Sequence, residues 1–311
     1  MFEEKGLLYL YLESSLHAGG GRSLGAVDLP IQRERLTGYP FIQAGGVKGR
    51  LRAEAELSKK LTQTDILSLF GPDTANADAH AGALSTGDAH LVLFPVRSLS
   101  GVFAWVASLD SLARFQRLAA LAGVAINWKL PDEPPDDNTC WVNGSELVIG
   151  TELPEDQRSV VLEEYSFKPS QSQAPLVKTI GEWFGTHALL QTTEYEYWKA
   201  KLPKKLCIVS ENAFRDFANY ATEVQTHIRI DYQKKTVKDK ALWTSESLPC
   251  DALLVAPILA TQSRNPADGK TASEVVTAFS KFVTKTPRCN FGGDETTGQG
   301  LVTLRFETQA Q

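Results

Sequence analysis

The residues that could do chemistry crowd into one stretch, LHAGGGRSLGAVDLPIQRERLTGYPFIQAGGVKGRLR, from Leu16 to Arg52. His17 offers an imidazole, and Asp28 stands as an isolated carboxylate before Pro30. Between them Gly19, Gly20, Gly21 and Gly25 remove side-chain bulk, so the backbone here can approach another chain or a phosphate closely. Arg33 and Arg35 follow, and GGVKGRLRAEAEL then places Lys48, Arg50 and Arg52 in the first turns of an expected helix. Cations at a helix N-terminus oppose its macrodipole, an arrangement that makes sense if an anion sits there. A phosphate backbone is the obvious anion. Taken singly, glycines mark loops and a lone His or Asp is most often a surface or hydrogen-bonded residue. It is the density of the combination that favours a site.

Those side chains need a scaffold, and the pattern supplies one of α+β class. GLLYLYLES (6–14) reads as a buried strand delivering the chain to His17. A helix is expected from Val47 to Leu61, with Val47, Leu51 and Ala55 as its buried stripe and Lys48, Arg52 and Glu56 facing the ligand. A short helix over 65–73 breaks at Gly71-Pro72, and 71–86 reads as a mobile loop. Residues 87–98 and 101–108 read as adjacent strands, and 108–123 as an N-capped helix ending at Gly123. Residues 129–200 read as an acidic insertion, and 204–221 as a strand entering a helix capped by Ser210. The stretch 226–249 reads as a hairpin with the basic tip QKKTVKDK, carrying Lys234, Lys235 and Lys238. A buried strand (250–260), an amphipathic helix (273–285) and the glycine-rich turn 290–300 before a last strand complete the chain.

With 311 residues, 42% of them hydrophobic, the chain can bury a sizeable core as one domain with large insertions or as two domains. No run approaches the ~18 apolar residues of a membrane span, and the N-terminus lacks a basic signal-peptide region, so a cytoplasmic protein without membrane partners is expected. Cys140, Cys207, Cys250 and Cys289 are far apart in sequence and form no C-x-x-C pair, which argues against a zinc site or a disulfide framework. The formal charge of −5 is unevenly spread: residues 130–165 hold ten acids and one arginine, whereas 199–240 hold ten Lys or Arg and five acids. Local charge decides local binding, so the overall acidity does not exclude a nucleic acid.

The opening stretch, followed by LFGPD, HIRIDYQKKTVKDKALWTSESLP and FGGDETTGQGLV in that order, resembles the RAMP superfamily. More narrowly, it resembles the backbone subunits of type III-B CRISPR Cmr effector complexes. The resemblance implies a single ferredoxin-like (RRM-related) palm over 1–311, with large insertions and a β-hairpin thumb. It implies copies of the chain stacked in a helical filament with other Cmr subunits along a CRISPR guide RNA. Target single-stranded RNA would be cut at regular intervals with Mg²⁺ or another divalent cation. Asp28 then corresponds to the family's essential aspartate, which would hold a hydrated Mg²⁺ or accept the 2′-hydroxyl proton, and His17 to its matching upstream position. Glu246 is the one acid after Trp243 where the family often has two, Thr244 and Ser245 intervening here. The RNA-binding set implied is Lys48, Arg50, Arg52, Arg33, Arg35, Gly292, Gly293, Gly298, Gly300, Lys234, Lys235 and Lys238. A guide-binding scaffold that does not cut, a stand-alone RAMP endonuclease processing CRISPR transcripts, and an unrelated phosphate-binding enzyme are the competing readings.

Overall fold

Strand β1 (Glu4–Leu12) is buried on both faces, which is why its sequence is continuously apolar instead of alternating. Leu8, Leu10 and Leu12 face one core, whereas Leu7, Tyr9 and Tyr11 face a second. At such positions a Leu→Ala truncation costs about 2–5 kcal/mol. The computed structural model describes residues 2–308 except 24, 77 and 232.

After β1 come β2 (Phe41–Ile42), α1 (Ala44–Ser58), α2 (Gln63–Phe70), β3 (Leu84–Thr86), β4 (Ala89–Ser98), β5 (Val102–Ala107) and α3 (Leu109–Ala122). The middle of the chain forms β6 (Thr139–Val142), β7 (Val160–Leu162), β8 (Tyr165–Ser170), α4 (Ala174–His187) and α5 (Glu196–Lys205). Then follow β9 (Leu206–Ile208), α6 (Glu211–Tyr220), the hairpin β10 (Glu223–Asp231) and β11 (Thr236–Ser247), β12 (Leu253–Ala260), α7 (Ala272–Lys285), β13 (Arg288–Asn290) and β14 (Leu301–Thr308).

The main sheet runs β13-β14-β1-β12-β4-β5-β9-β6-β8-β7, and a bridge between Ser98 and Leu162 returns β7 to β4, closing that end into a barrel of strands. Helices α1 and α7 cover the first core through Val47, Leu51, Val275 and Phe279, while α3 and α4 cover the second through Leu112, Phe115, Ile180 and Phe184. The hairpin stands apart as a sheet of its own.

Local signals placed several ends well. Ser108 and Ser111 exchange backbone and hydroxyl hydrogen bonds at the start of α3, and Gly123 closes it at φ 73°. Ser210 caps α6 by accepting from the Ala213 N–H. Helix α1 begins three residues earlier than the pattern suggests, because Gly45 and Gly46 form its first turn and Asp88 Oδ1 accepts from Ala44 N at 2.7 Å. The segment 129–200 is not all surface: α4 carries Val177, Ile180, Trp183 and Phe184 into the second core. Within 71–86, the last three residues pair with β12 as β3. Cys140 and Cys207 come together on paired strands, where their contact and burial push the Cys207 thiol up; all four cysteines are free.

Candidate active site

Beyond Trp243, strand β11 and Leu248 after it serve as a rail to which Leu16 and residues 28–31 are fixed. Leu29 N donates to the Thr244 carbonyl and Glu246 N to the Leu29 carbonyl, each at 3.0 Å, so residues 28–31 run parallel to the rail. Leu16 and Leu248 exchange two hydrogen bonds of 2.9 Å further along. The loop between is closed by Gly20 N to the Pro30 carbonyl and Gln32 N to the Ala18 carbonyl.

Asp28 is exposed. Its Oδ2 accepts from Thr244 N at 2.8 Å and from Thr244 Oγ1 at 3.0 Å, while Asp28 N lies 3.0 Å from the same hydroxyl. The backbone and hydroxyl donors of Thr244 hold the carboxyl below its ordinary range, so it is anionic at neutral pH. Oδ1 makes no hydrogen bond among the described residues. With Arg22, Ser23, Leu29, Leu242 and Trp243, Asp28 lines an open cleft of about 360 Å³ at the root of the hairpin. No group of three or more His, Cys, Asp or Glu side chains is arranged around a metal position among the described residues. The donor set fits a cation only as a single carboxylate ligand, with water and phosphate oxygens completing the shell, as suits Mg²⁺.

His17 is half-buried, and its Nδ1 lies 2.6 Å from the Glu246 carbonyl. A carbonyl can only accept, so Nδ1 carries a proton, and Nε2 has no hydrogen bond among the described residues. The two glycine-rich loops meet at this residue. A Cβ on Gly19 would come within 3.0 Å of Nε2, and one on Gly292 within 2.3 Å of the His17 carbonyl oxygen. Gly293 N donates to that same carbonyl at 2.9 Å. Gly292 adopts φ +74°, so both its backbone and its surroundings require glycine. Gly298 and Gly300 shape the return of this loop, a Cβ on Gly300 falling 2.0 Å from the Phe291 carbonyl.

Glu246 is placed otherwise than Asp28. It is buried, and its carboxylate pairs with Arg33, accepts from Thr222 Oγ1 at 2.7 Å and from Ile31 N at 3.1 Å. Arg33 also donates to the carbonyls of Gly38 and Ala218 and to the Asn219 side chain, so its guanidinium is turned into the body of the protein. Neither group lines the Asp28 cleft. Arg35 is exposed, with no hydrogen bond or ion pair among the described residues.

The basic start of α1 is likewise more engaged than its sequence suggests. Lys48 donates to the Leu84 carbonyl at 2.8 Å, and burial followed by the charge of Arg52 lowers its pKa. Arg50 pairs with Glu54, and Arg52 donates to the Gly71 and Pro72 carbonyls as well as to Glu56. Lys48 nonetheless lines an open cleft with Gly45, Ser85 and Arg264.

The hairpin exposes Ile228, Ile230, Leu242 and Trp243. Trp243 stacks on His227 at 5.3 Å and 14°, and His227 Nε2 lies 2.7 Å from Ser245 Oγ. Lys234 and Lys235 are exposed in the turn, whereas the side chain of Lys238 lies outside the described residues. Sequence reasoning missed Arg22, a near neighbour on the same loop, and missed Thr244 and Trp243, which a contact across 216 residues brings to Asp28 and no local pattern encodes.

A family model described as the RAMP superfamily matches residues 9–303. The chain is 34% identical over 306 residues to the CRISPR system Cmr endoribonuclease Cmr4 of Pyrococcus furiosus, covering 97% of this chain and 95% of that one. It is 25% identical over 307 residues to the CRISPR system CMR subunit Cmr4 of Saccharolobus solfataricus, covering 94% and 92%. Among solved structures it is similar to oligomeric Cmr4 from Pyrococcus furiosus, with a TM-score of 0.72, 27% identity and 99% of each chain covered. It also shares its fold with a chain of the type III-B Cmr-beta complex bound to cognate target RNA, at a TM-score of 0.70 and 20% identity over 98% of each.

Proposed function

The chain belongs to the RAMP superfamily, and from that footing we propose that it is a backbone subunit of a type III-B Cmr effector complex, binding guide RNA in a helical filament of its own copies and cutting complementary target RNA at intervals. The partners are the guide, the target strand, further copies of the chain and other Cmr subunits, all in the cytoplasm. The palm is ferredoxin-like on this reading. β1, α1, β4, β12, α7 and β14 follow a βαββαβ sequence, and the corresponding strands lie in the order β14-β1-β12-β4.

The observation that carries the catalytic part is Asp28, an exposed anion held by Thr244 beside Trp243 in an open cleft at the hairpin root. RNA cleavage by the neighbouring 2′-oxygen forms the O2′–P bond and breaks the P–O5′ bond. The 2′-hydroxyl loses its proton and the departing 5′-oxygen gains one, leaving a 2′,3′-cyclic phosphate. Distortion of the target at the hairpin supplies the in-line geometry, and positioning of this kind accounts for much of the barrier. The depressed pKa makes Asp28 a weak proton acceptor but a persistent anion, which favours a role in anchoring a cation over one as general base. A divalent cation held there would neutralise phosphate charge and acidify a bound water or hydroxyl. His17 orients the loop through its Glu246 contact. Glu246 and Arg33 position the rail from below, and Arg22, Arg35 and Lys48 offer charge to phosphates.

The test is target cutting by the assembled, guide-loaded complex. Asp28→Asn should lose cutting with guide content unchanged, whereas cutting at the wild-type rate would leave the non-cutting scaffold as the function.

A further inference from the structure

Asp28 sits in an exposed loop, where a carboxylate ordinarily samples several rotamers, yet it is held at three points by one residue. Thr244 gives its N–H and its hydroxyl to Oδ2, and its hydroxyl also lies 3.0 Å from Asp28 N. The Thr244 carbonyl then accepts from Leu29 N at 3.0 Å, so the peptide units on either side of Thr244 are bonded to the Asp28–Leu29 backbone and side chain. Thr244 lies in β11, one residue from Trp243, which lines the cleft and stacks on His227 of the opposing strand. The residue that fixes the carboxylate is therefore covalently continuous with the hairpin.

We propose that Thr244 is the positioning residue of the cleavage site, fixing Asp28 by its Oδ2 and tying its orientation to that of the β10–β11 hairpin. The inference rests on the proposed role of Asp28 in cutting. It is specific in chemistry: the position needs a hydroxyl that can donate to a carboxylate while accepting from an amide, which Thr and Ser supply and Val does not. Val matches the shape of Thr and its preference for a strand, so the substitution removes the hydroxyl alone. The backbone N–H of residue 244 still reaches Oδ2 in that variant, leaving Asp28 tethered but free to swing.

The experiment uses the complete guide-loaded complex carrying Thr244→Val, Thr244→Ser, Asp28→Asn or Thr244→Val with Asp28→Asn. Single-turnover cutting at saturating target and equilibrium target binding are measured separately. Thr244→Val should slow cutting about ten- to a hundredfold, the range expected when a reacting group is displaced by an ångström or so. Target affinity and the spacing of cuts should stay as in wild type, and Thr244→Ser should restore the rate to within about threefold. On the Asp28→Asn background the Val substitution should cause no further loss, since the two act as one unit. Wild-type cutting by Thr244→Val, equal failure of Val and Ser, or additive losses in the double variant would each overturn the assignment. If Asp28→Asn alone cuts normally, the catalytic reading of Asp28 fails and the positioning role falls with it. Loss in Thr244→Val alongside normal cutting by Asp28→Asn would instead assign the hydroxyl a role that bypasses Asp28.

Discussion

Two carboxylates lie on the rail formed by the end of β11, and it holds them in opposite ways. At the rim, Asp28 is solvent-exposed, its carboxylate bonded to Thr244 alone among the described residues, and borders an open cleft. Two residues further along, Glu246 is buried and its oxygens are occupied by Arg33, Thr222 and Ile31 N. Removing the first deletes a group available to a ligand, whereas removing the second strands a half-buried guanidinium. The same strand therefore supports a chemical site and the bed beneath it, and the distinction depends on partners that converge from residues 16–33 and 218–222.

The largest effect that sharpens this contrast is on cutting. Asp28→Asn in the assembled complex should reduce the cleavage rate about 10²–10⁴-fold, equivalent to the several kcal/mol of charge stabilisation that an anchored cation would supply. Its folding stability should stay within about 0.5 kcal/mol of wild type, as for other exposed substitutions. The next effect is on stability. Glu246→Ala should cost about 3 kcal/mol in urea unfolding, at the lower end for breaking a buried pair because Arg33 is 22% exposed. If Glu246→Ala unfolded at the wild-type midpoint yet failed to cut, Glu246 would join Asp28 as a chemical group and the contrast would collapse.

Much of the scaffold was legible because it rests on local physics. The Ser108 and Ser210 caps, the Gly123 stop and the apolar runs of β1 and β12 each need only neighbours in sequence. Helix α4 escaped notice because it follows an acidic, proline-rich stretch, and its apolar residues Val177, Ile180, Trp183 and Phe184 gain meaning only against α3. In the site, Asp28, His17 and the loop around Gly292 were readable as unusual residues in unusual density. The divergent environments of Glu246 and Asp28, and of Arg33 and Arg35, were not, since burial by Asn219 or Thr222 is a product of the fold.

A smaller effect tests the bed through pH. Glu34 is beside Arg33 but belongs to a second network. Burial alone would raise its pKa, yet hydrogen bonds from His90, Thr37 and Arg114, with the charge of Arg114, override this and hold it at about 2. A carboxyl depressed in the folded state contributes stability that is complete above its unfolded value of 4.5 and is lost as pH falls toward about 2. Between pH 5 and pH 3 the wild type should therefore lose about 1 kcal/mol more than Glu34→Gln in urea unfolding, after allowance for partial solvent screening. Asp28 is also held below its ordinary range, by Thr244, but in the open, where solvent screens the effect, so Asp28→Asn should flatten that limb less than Glu34→Gln does; an equal flattening by both variants would show that rim and bed are not electrostatically distinct.

The smallest effect separates the two arginines that the sequence presents as a pair. Arg33 makes its hydrogen bonds inside the protein, whereas Arg35 is exposed and has no hydrogen bond or ion pair among the described residues. A phosphate contact to single-stranded RNA contributes roughly 0.7 to the slope of log affinity against log salt. Arg35→Ala should lower the slope for guide binding by about that amount, which amounts to about a two- to threefold difference between 50 and 200 mM salt. Its unfolding midpoint should not move. Arg33→Ala should do the reverse, lowering stability while leaving the slope of the folded fraction intact, because both terminal nitrogens of its guanidinium are engaged within the protein by Glu246, Gly38 and Ala218. A slope that falls equally in the two variants would mean that Arg33 leaves Glu246 when RNA binds, and the bed would then be part of the binding surface.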